Sequence, residues 1–168
     1  MSFWLICYIL QTPGLLERIR AEIQPAFTNG RADLPLLEKC TLFASAWAES
    51  LRLVSSTFSV RIVEEETHGI GGYTLHKGAK IFCPTRPLHV SVDHWGEDAE
   101  RYNPDRFIDR LQDAQSMKMR PFGGGPTLCP GRYVSQADVD TGNNNWFSDI
   151  SLPLKSRYLL GACFFGMI

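Results

Sequence analysis

One loop concentrates the residues able to do chemistry: Phe122-Gly-Gly-Gly-Pro-Thr-Leu-Cys129-Pro130-Gly131-Arg132. Cysteine binds a metal as its thiolate, and that anion is stabilised at the start of a helix, where unpaired N–H groups and the positive dipole end converge. Pro130 suits the first helical position, because the N–H it lacks would find no partner there. Gly123, Gly124 and Gly125 carry no Cβ, so backbone can approach a large flat ligand and turn its N–H groups toward sulfur. Phe122 offers an apolar face that keeps water from a bound metal. Blander readings stand beside these. An isolated cysteine is more often a small buried hydrophobe. The glycines resemble a phosphate loop only superficially, since no Gly-Lys-Ser/Thr follows and no dinucleotide-binding unit surrounds them.

Two further segments stand upstream in order: Glu49-Ser-Leu-Arg52 and Asn103-Pro104-Asp105-Arg106-Phe107. A lone Glu and Arg at i,i+3 is usually a solvated helix pair worth about 0.2–0.5 kcal/mol. Taken together, the three segments resemble the cytochrome P450 family. Phe122-x-x-Gly125-x-x-x-Cys129-x-Gly131 is similar to its haem-binding signature, Glu49 to Arg52 to its ExxR motif, and residues 103–107 to its PERF-type segment, with Asp105 for the usual Glu. Thr127 stands where many members carry Arg or His.

The resemblance implies a mainly α fold with small β-hairpins, a partial P450 fold. It would hold the end of the distal helix (Phe3 to Gln11), the ExxR helix, the small sheet and the haem-ligand loop. By resemblance Cys129 is the axial ligand of haem b iron, where a thiolate pushes electron density onto the metal and favours O–O cleavage. Phe122, Gly125 and Gly131 shape the ligand loop, and Arg61 is a haem-propionate partner, a role its rigid fork suits. Glu49, Arg52 and Arg106 form a buried structural triad. The oxygen-activating pair of the family lies earlier on the distal helix, so no residue here is expected to be catalytic in that sense.

The implied function is a monooxygenase. It inserts one oxygen atom from O2 into a small apolar organic substrate, with electrons from an NADPH-dependent reductase. The alternative is a truncated, catalytically inactive remnant of such an enzyme. Lys118, Arg120 and Arg132 are placed to dock an acidic redox partner. Many family members sit on the endoplasmic-reticulum membrane through an N-terminal anchor, which this sequence does not show.

The elements that must position these residues follow from local patterns. Leu15, Leu16, Ile19, Ile23 and Phe27 recur at helical spacing, predicting an amphipathic helix opened by Pro13-Gly14 and closed around Pro25. Thr28-Asn29-Gly30 is a turn signal, and Asp33 can cap a helix running from Leu36 to about Val54. Thr57 to Val63 reads as a strand, followed by short strands that form one or two hairpins. From Asp93 to Met119 the chain reads as a long ordered coil, and the glycine loop should enter a helix at Gly131. Residues 1–133 are expected to form the haem-domain part, and 134–168 a divergent tail without an assigned domain.

Composition narrows the classes. The 168 residues carry 17 Lys+Arg against 18 Asp+Glu, a formal charge of −1 that argues against a nucleic-acid partner. The apolar stretches at residues 1–10 and 158–168 are shorter than the ~20 residues a membrane-spanning helix needs. The first reads as a buried helix. Five cysteines, an odd number without a CxxC pair, argue against a disulfide framework or zinc ribbon and for reduced intracellular thiols. Cys7, Cys40, Cys83 and Cys163 are expected to be small buried hydrophobes. His68, His76, His89 and His94 show no paired metal spacing.

Overall fold

A computed structural model describes residues 2–28, 31–115, 118–124 and 128–132. The expectations for Gly125, Thr127, Cys163 and residues 134–168 fall outside that range. The described chain is built of helices and small antiparallel sheets.

Helix α1 (Ser2–Gln11) and helix α2 (Leu15–Ile23) meet at Gly14, whose φ of 72° is a conformation glycine adopts without steric cost. Leu5, Cys7 and Ile9 of α1 are buried, but Phe3 and Trp4 are exposed, so the apolar segment buries one face rather than its whole surface. Pro25 closes α2 into a 3-10 turn at Gln24–Ala26, as the missing N–H of proline dictates. Strands β1 (Phe27–Thr28) and β2 (Arg31–Ala32) then pair antiparallel.

The helix expected from Leu36 to Val54 is two helices. They are α3 (Leu34–Leu37), capped by Asp33 Oδ1 on the Leu36 N–H at 3.2 Å, and α4 (Thr41–Val54). The break has a tertiary cause. Cys40 precedes α4 in an extended conformation and offers no side-chain cap. The Glu22 carboxylate of α2 takes that role, accepting the N–H groups of Leu42 and Phe43, each at 2.9 Å. Two of the unpaired donors at the start of α4 are thereby satisfied by another helix.

Helix α4 divides the core. On one side Leu42, Phe43 and Ala46 pack with Leu5 and Ile9 of α1 and Leu15, Ile19 and Ile23 of α2. On the other, Ala48 and Leu51 pack with Trp95, Ala99, Phe107 and Met119 from the later part of the chain. Trp95 and Phe107 meet edge to face with centroids 5.6 Å apart, a favoured aromatic geometry.

After α4, strand β3 (Phe58–Ile62) pairs antiparallel with β6 (Lys80–Pro84), and β4 (Thr67–Ile70) with β5 (Tyr73–Leu75) forms a hairpin nested between them. Alternation along the register puts Phe58, Val60, Ile62 and Phe82 on one face, and all four are exposed. Cys83 on β6 is exposed too, correcting the expectation of a buried thiol. A two-stranded sheet leaves faces uncovered that a larger sheet would bury. Cys7 and Cys40 are buried as expected.

Helices α5 (Arg86–His89) and α6 (Val92–Trp95) follow, each one turn long. Among the described residues, the remaining coil carries a single 3-10 turn at Leu111–Gln115 before the glycine loop, and Gly131 and Arg132 turn helical. Among the described residues no helix is long and apolar enough to cross a membrane.

Candidate functional site

The best-defined polar structure lies on the face of α4 turned to the later chain. Ser45, Glu49 and Arg52 recur at i, i+4 and i+7, so they line one stripe, and all three are completely buried. A buried polar group is costly unless paired, and the coil from Ala99 to Phe107 provides the pairing. Arg52 binds Glu49 through Nε and Nη2, both at 2.7 Å, in a bidentate fork. Its Nη1 donates to the carbonyls of His89 and Ala99, and Nη2 reaches the Arg101 carbonyl at 3.4 Å. Its guanidinium carbon also lies 5.2 Å from the Trp95 ring centroid, a cation–π distance.

Glu49 accepts twice more, from Arg106 Nε at 3.1 Å and from the Asn103 N–H at 3.0 Å. The isolated-surface-pair reading of Glu49 and Arg52 is therefore excluded, and Arg106 joins them in one cluster. Arg106 turns its other nitrogens to Asp98, with Nη2 to Oδ2 at 2.8 Å and Nη1 to Oδ1 at 3.1 Å. Hydrogen bonding by that guanidinium holds the Asp98 carboxyl below its ordinary value. Ser45 Oγ donates to the Pro104 carbonyl and accepts the Phe107 N–H at 2.9 Å. Tyr102 donates to the Ala46 carbonyl at 3.1 Å and stacks on Tyr8 of α1 with centroids 4.2 Å apart. Asp105 pairs on the surface with Arg18 of α2. Ser45, Asp98 and Glu22 were not singled out from the sequence. Ser45 sits one helical turn before Glu49, the signal that could have marked it.

The glycine loop hangs from this scaffold. Phe122 is half-buried against the second core cluster, and its carbonyl accepts the Cys129 N–H at 3.0 Å, closing the loop at its neck. Gly123 has φ 85°, where a side chain would be strained. Cys129 is exposed just before the helical residues Gly131 and Arg132, and the Arg132 N–H bonds back to its carbonyl at 3.2 Å. A Cβ at Gly131 would lie 3.3 Å from Cys129 Sγ, tighter than ordinary contact, so glycine there keeps the space beside sulfur open. Arg132 Nη1 also turns back to the Cys129 carbonyl at 3.3 Å. Lys118 is exposed, and Arg120 and Arg132 are partly so.

Arg61 stands apart. It lies on β3, exposed, with Nη1 donating to the neighbouring Val60 carbonyl at 3.1 Å. It forms no hydrogen bond or ion pair with the described residues of the loop. Among the described residues no group of three or more His, Cys, Asp or Glu converges to hold a metal ion. A single exposed sulfur suits a metal whose other donors arrive with it, as those of a tetrapyrrole do.

His89 is the residue whose importance the sequence concealed. It is completely buried, with Nε2 2.9 Å from the Arg120 backbone nitrogen and Nδ1 3.1 Å from the Ser55 carbonyl oxygen. Burial pushes its pKa down, and the nearby Arg52 and Arg86 charges push the same way.

Comparison with known proteins follows the same outline. A family profile described as Cytochrome P450 matches residues 1–141. A cytochrome P450 monooxygenase of Gibberella zeae is 35 % identical over 82 % of this chain and 29 % of its own length. A cytokinin hydroxylase of Arabidopsis thaliana is 32 % identical over 92 % of this chain and 30 % of its own. Secologanin synthase 1 of Catharanthus roseus is 31 % identical over 83 % of this chain and 27 % of its own. The chain thus spans less than a third of the length of these relatives.

Proposed function

The chain belongs to the cytochrome P450 family, and from that premise we propose that it supplies the thiolate side of a haem site, with Cys129 as axial ligand of iron protoporphyrin (haem b). The observation that carries this reading is the placement of Cys129: an exposed sulfur just before the helical residues Gly131 and Arg132, on a loop closed by the Cys129–Phe122 hydrogen bond. Gly131 leaves room beside that sulfur, and Phe122 places an aromatic ring at the neck of the loop. A haem bound there would supply O2 activation, favoured by thiolate donation to the iron.

The chain's own residues do the rest. Glu49, Arg52 and Arg106 lock α4 to the coil that leads into the loop, fixing where Cys129 emerges. The strand position of Arg61 and its rigid fork support a role pairing a haem propionate. Lys118, Arg120 and Arg132 flank the loop with positive charge and fit an acidic redox partner, the NADPH-dependent reductase of the overall reaction. The product class is a small apolar organic molecule carrying one inserted oxygen atom. Residues Phe3 to Gln11 on α1 correspond in this reading to the end of the distal helix.

One observation favours the second reading, a catalytically inactive form of the same chain. The apolar face made by Phe58, Val60, Ile62 and Phe82 is exposed, a surface that folded soluble domains normally cover. The reduced, carbon-monoxide difference spectrum of the full chain after haem addition tests both readings. A thiolate-type Soret shift that Cys129→Ala abolishes establishes Cys129 as ligand. A shift unchanged in Cys129→Ala overturns the assignment. No shift in a folded sample favours the inactive form.

A further inference from the structure

We propose that His89 is a positioning residue for the Cys129 loop, holding its approach through one hydrogen bond that the neutral ring accepts from the Arg120 main chain and that protonation of the ring breaks. The proposal rests on reading Cys129 as the iron ligand, but its geometry does not.

Both ring nitrogens face partners whose roles are fixed. A backbone N–H only donates, so Nε2, 2.9 Å from the Arg120 nitrogen, must be the unprotonated acceptor. A carbonyl only accepts, so Nδ1, 3.1 Å from Ser55 O, must carry the hydrogen. One neutral tautomer satisfies both. The imidazolium satisfies only Ser55, because its second N–H would point at the N–H of Arg120.

The three anchors belong to different parts of the fold. Ser55 follows the last turn of α4, His89 ends α5, and Arg120 lies two residues before Phe122. The Phe122 carbonyl in turn accepts the Cys129 N–H. A short path of main-chain bonds therefore runs from the His89 ring to the residue that presents the sulfur. The main chain of His89 is held independently, since its carbonyl accepts from Arg52 Nη1. Protonation thus releases the loop while the ring's own segment stays fixed to the Glu49 cluster.

The charges around the ring favour the neutral form. Arg52 approaches from α4 and Arg86 from α5, and both are cations that disfavour the imidazolium. Burial is the largest effect and outweighs the Ser55 and Arg52 carbonyls, which favour the charged form, so the pKa is lowered. That is in keeping with an Nε2 that accepts from Arg120. The sign is then fixed: the loop is anchored above the His89 transition and loosened below it.

The test uses the full chain without haem, so that it stands apart from the ligand assignment. Ring nitrogen NMR follows His89 protonation, and amide hydrogen exchange, corrected for its intrinsic pH dependence, follows Arg120 and the α4 amides. The expected result is that Arg120 protection falls about tenfold, the scale of one hydrogen bond, with the midpoint of the ring titration and with α4 still protected. His89→Gln, whose amide oxygen can accept from Arg120, should keep protection at low pH and abolish the step. His89→Phe should lack the protection at every pH.

Arg120 protection that stays flat through the ring titration overturns the proposal. So does loss of Arg120 and α4 protection together, which would make His89 a member of the global core alone. With haem bound, the thiolate Soret band should show the same midpoint. Failure to bind haem would instead count against the Cys129 ligand assignment and leave the exchange result standing.

Discussion

Glu49→Gln is the most informative single perturbation of this fold. The wild-type carboxylate accepts four hydrogen bonds: two from Arg52 at 2.7 Å, one from Arg106 at 3.1 Å and one from the Asn103 N–H at 3.0 Å. Glutamine removes the negative charge and turns an NH2 group toward guanidinium donors, leaving Arg52 buried without a counter-ion. Removing one partner of a buried pair costs about 3–5 kcal/mol. That is a large share of the ~5–15 kcal/mol stability of an ordinary domain. With a urea slope of about 2 kcal/mol/M, the unfolding midpoint should fall by roughly 2 M.

A second variant separates charge from hydrogen bonding. Replacing the whole cluster, with Glu49→Leu, Arg52→Met and Arg106→Leu, removes the unpaired charge. Often such a swap is neutral or stabilising. Here it should not be, because Arg52 also serves the carbonyls of His89, Ala99 and Arg101. Each buried carbonyl left unpaired costs about 1–3 kcal/mol. Urea unfolding followed by far-ultraviolet circular dichroism and tryptophan fluorescence reads both variants. A loss under about 1 kcal/mol for Glu49→Gln, the scale of a surface pair, would falsify the burial argument. A triple variant as stable as wild type would refute the claim that Arg52 acts through the coil's carbonyls.

Two further substitutions probe the supports of the site. Ser45→Ala deprives the Pro104 carbonyl and the Phe107 N–H of their shared partner and should cost about 1–3 kcal/mol in urea unfolding. Gly123→Ala places a Cβ at φ 85° and should cost about 1–3 kcal/mol, read as loosened amide protection confined to the loop, with α4 unaffected.

What could be read from the sequence was whatever is decided within a few residues. Pro25 closing α2 and Asp33 capping α3 are local effects and were legible. The end of α3 was not, because the cap of α4 is Glu22, contributed by another helix. The short strands were legible as hairpin material, but β3 pairs with β6 across a nested hairpin, a choice no local signal makes. At the site, the Glu49–Arg52 spacing was visible, but its burial was expected only through the family resemblance and not from the residues themselves, since the groups that bury it come from residues 89–106. His89 shows the limit most sharply. Its tautomer and partners are fixed by Ser55 and Arg120, distant in sequence on both sides, and nothing in its own neighbours announces them.

The coil from Ala99 to Phe107 is gripped largely by its main chain. The Ala99, Arg101 and Pro104 carbonyls and the Asn103 and Phe107 N–H groups all bind side chains of α4. Every residue type carries those carbonyls, so this grip places little demand on which side chains the coil presents. Side-chain identity matters at Arg106 and Tyr102, which reach back to Glu49 and Ala46, and at Ala99 and Phe107, which are buried in the core beside α4. Selection can therefore vary the outward side chains of this segment while its path stays fixed. Its aperiodic composition is the freedom of a strip read by its backbone, and the constraint falls instead on three positions of a single helix face.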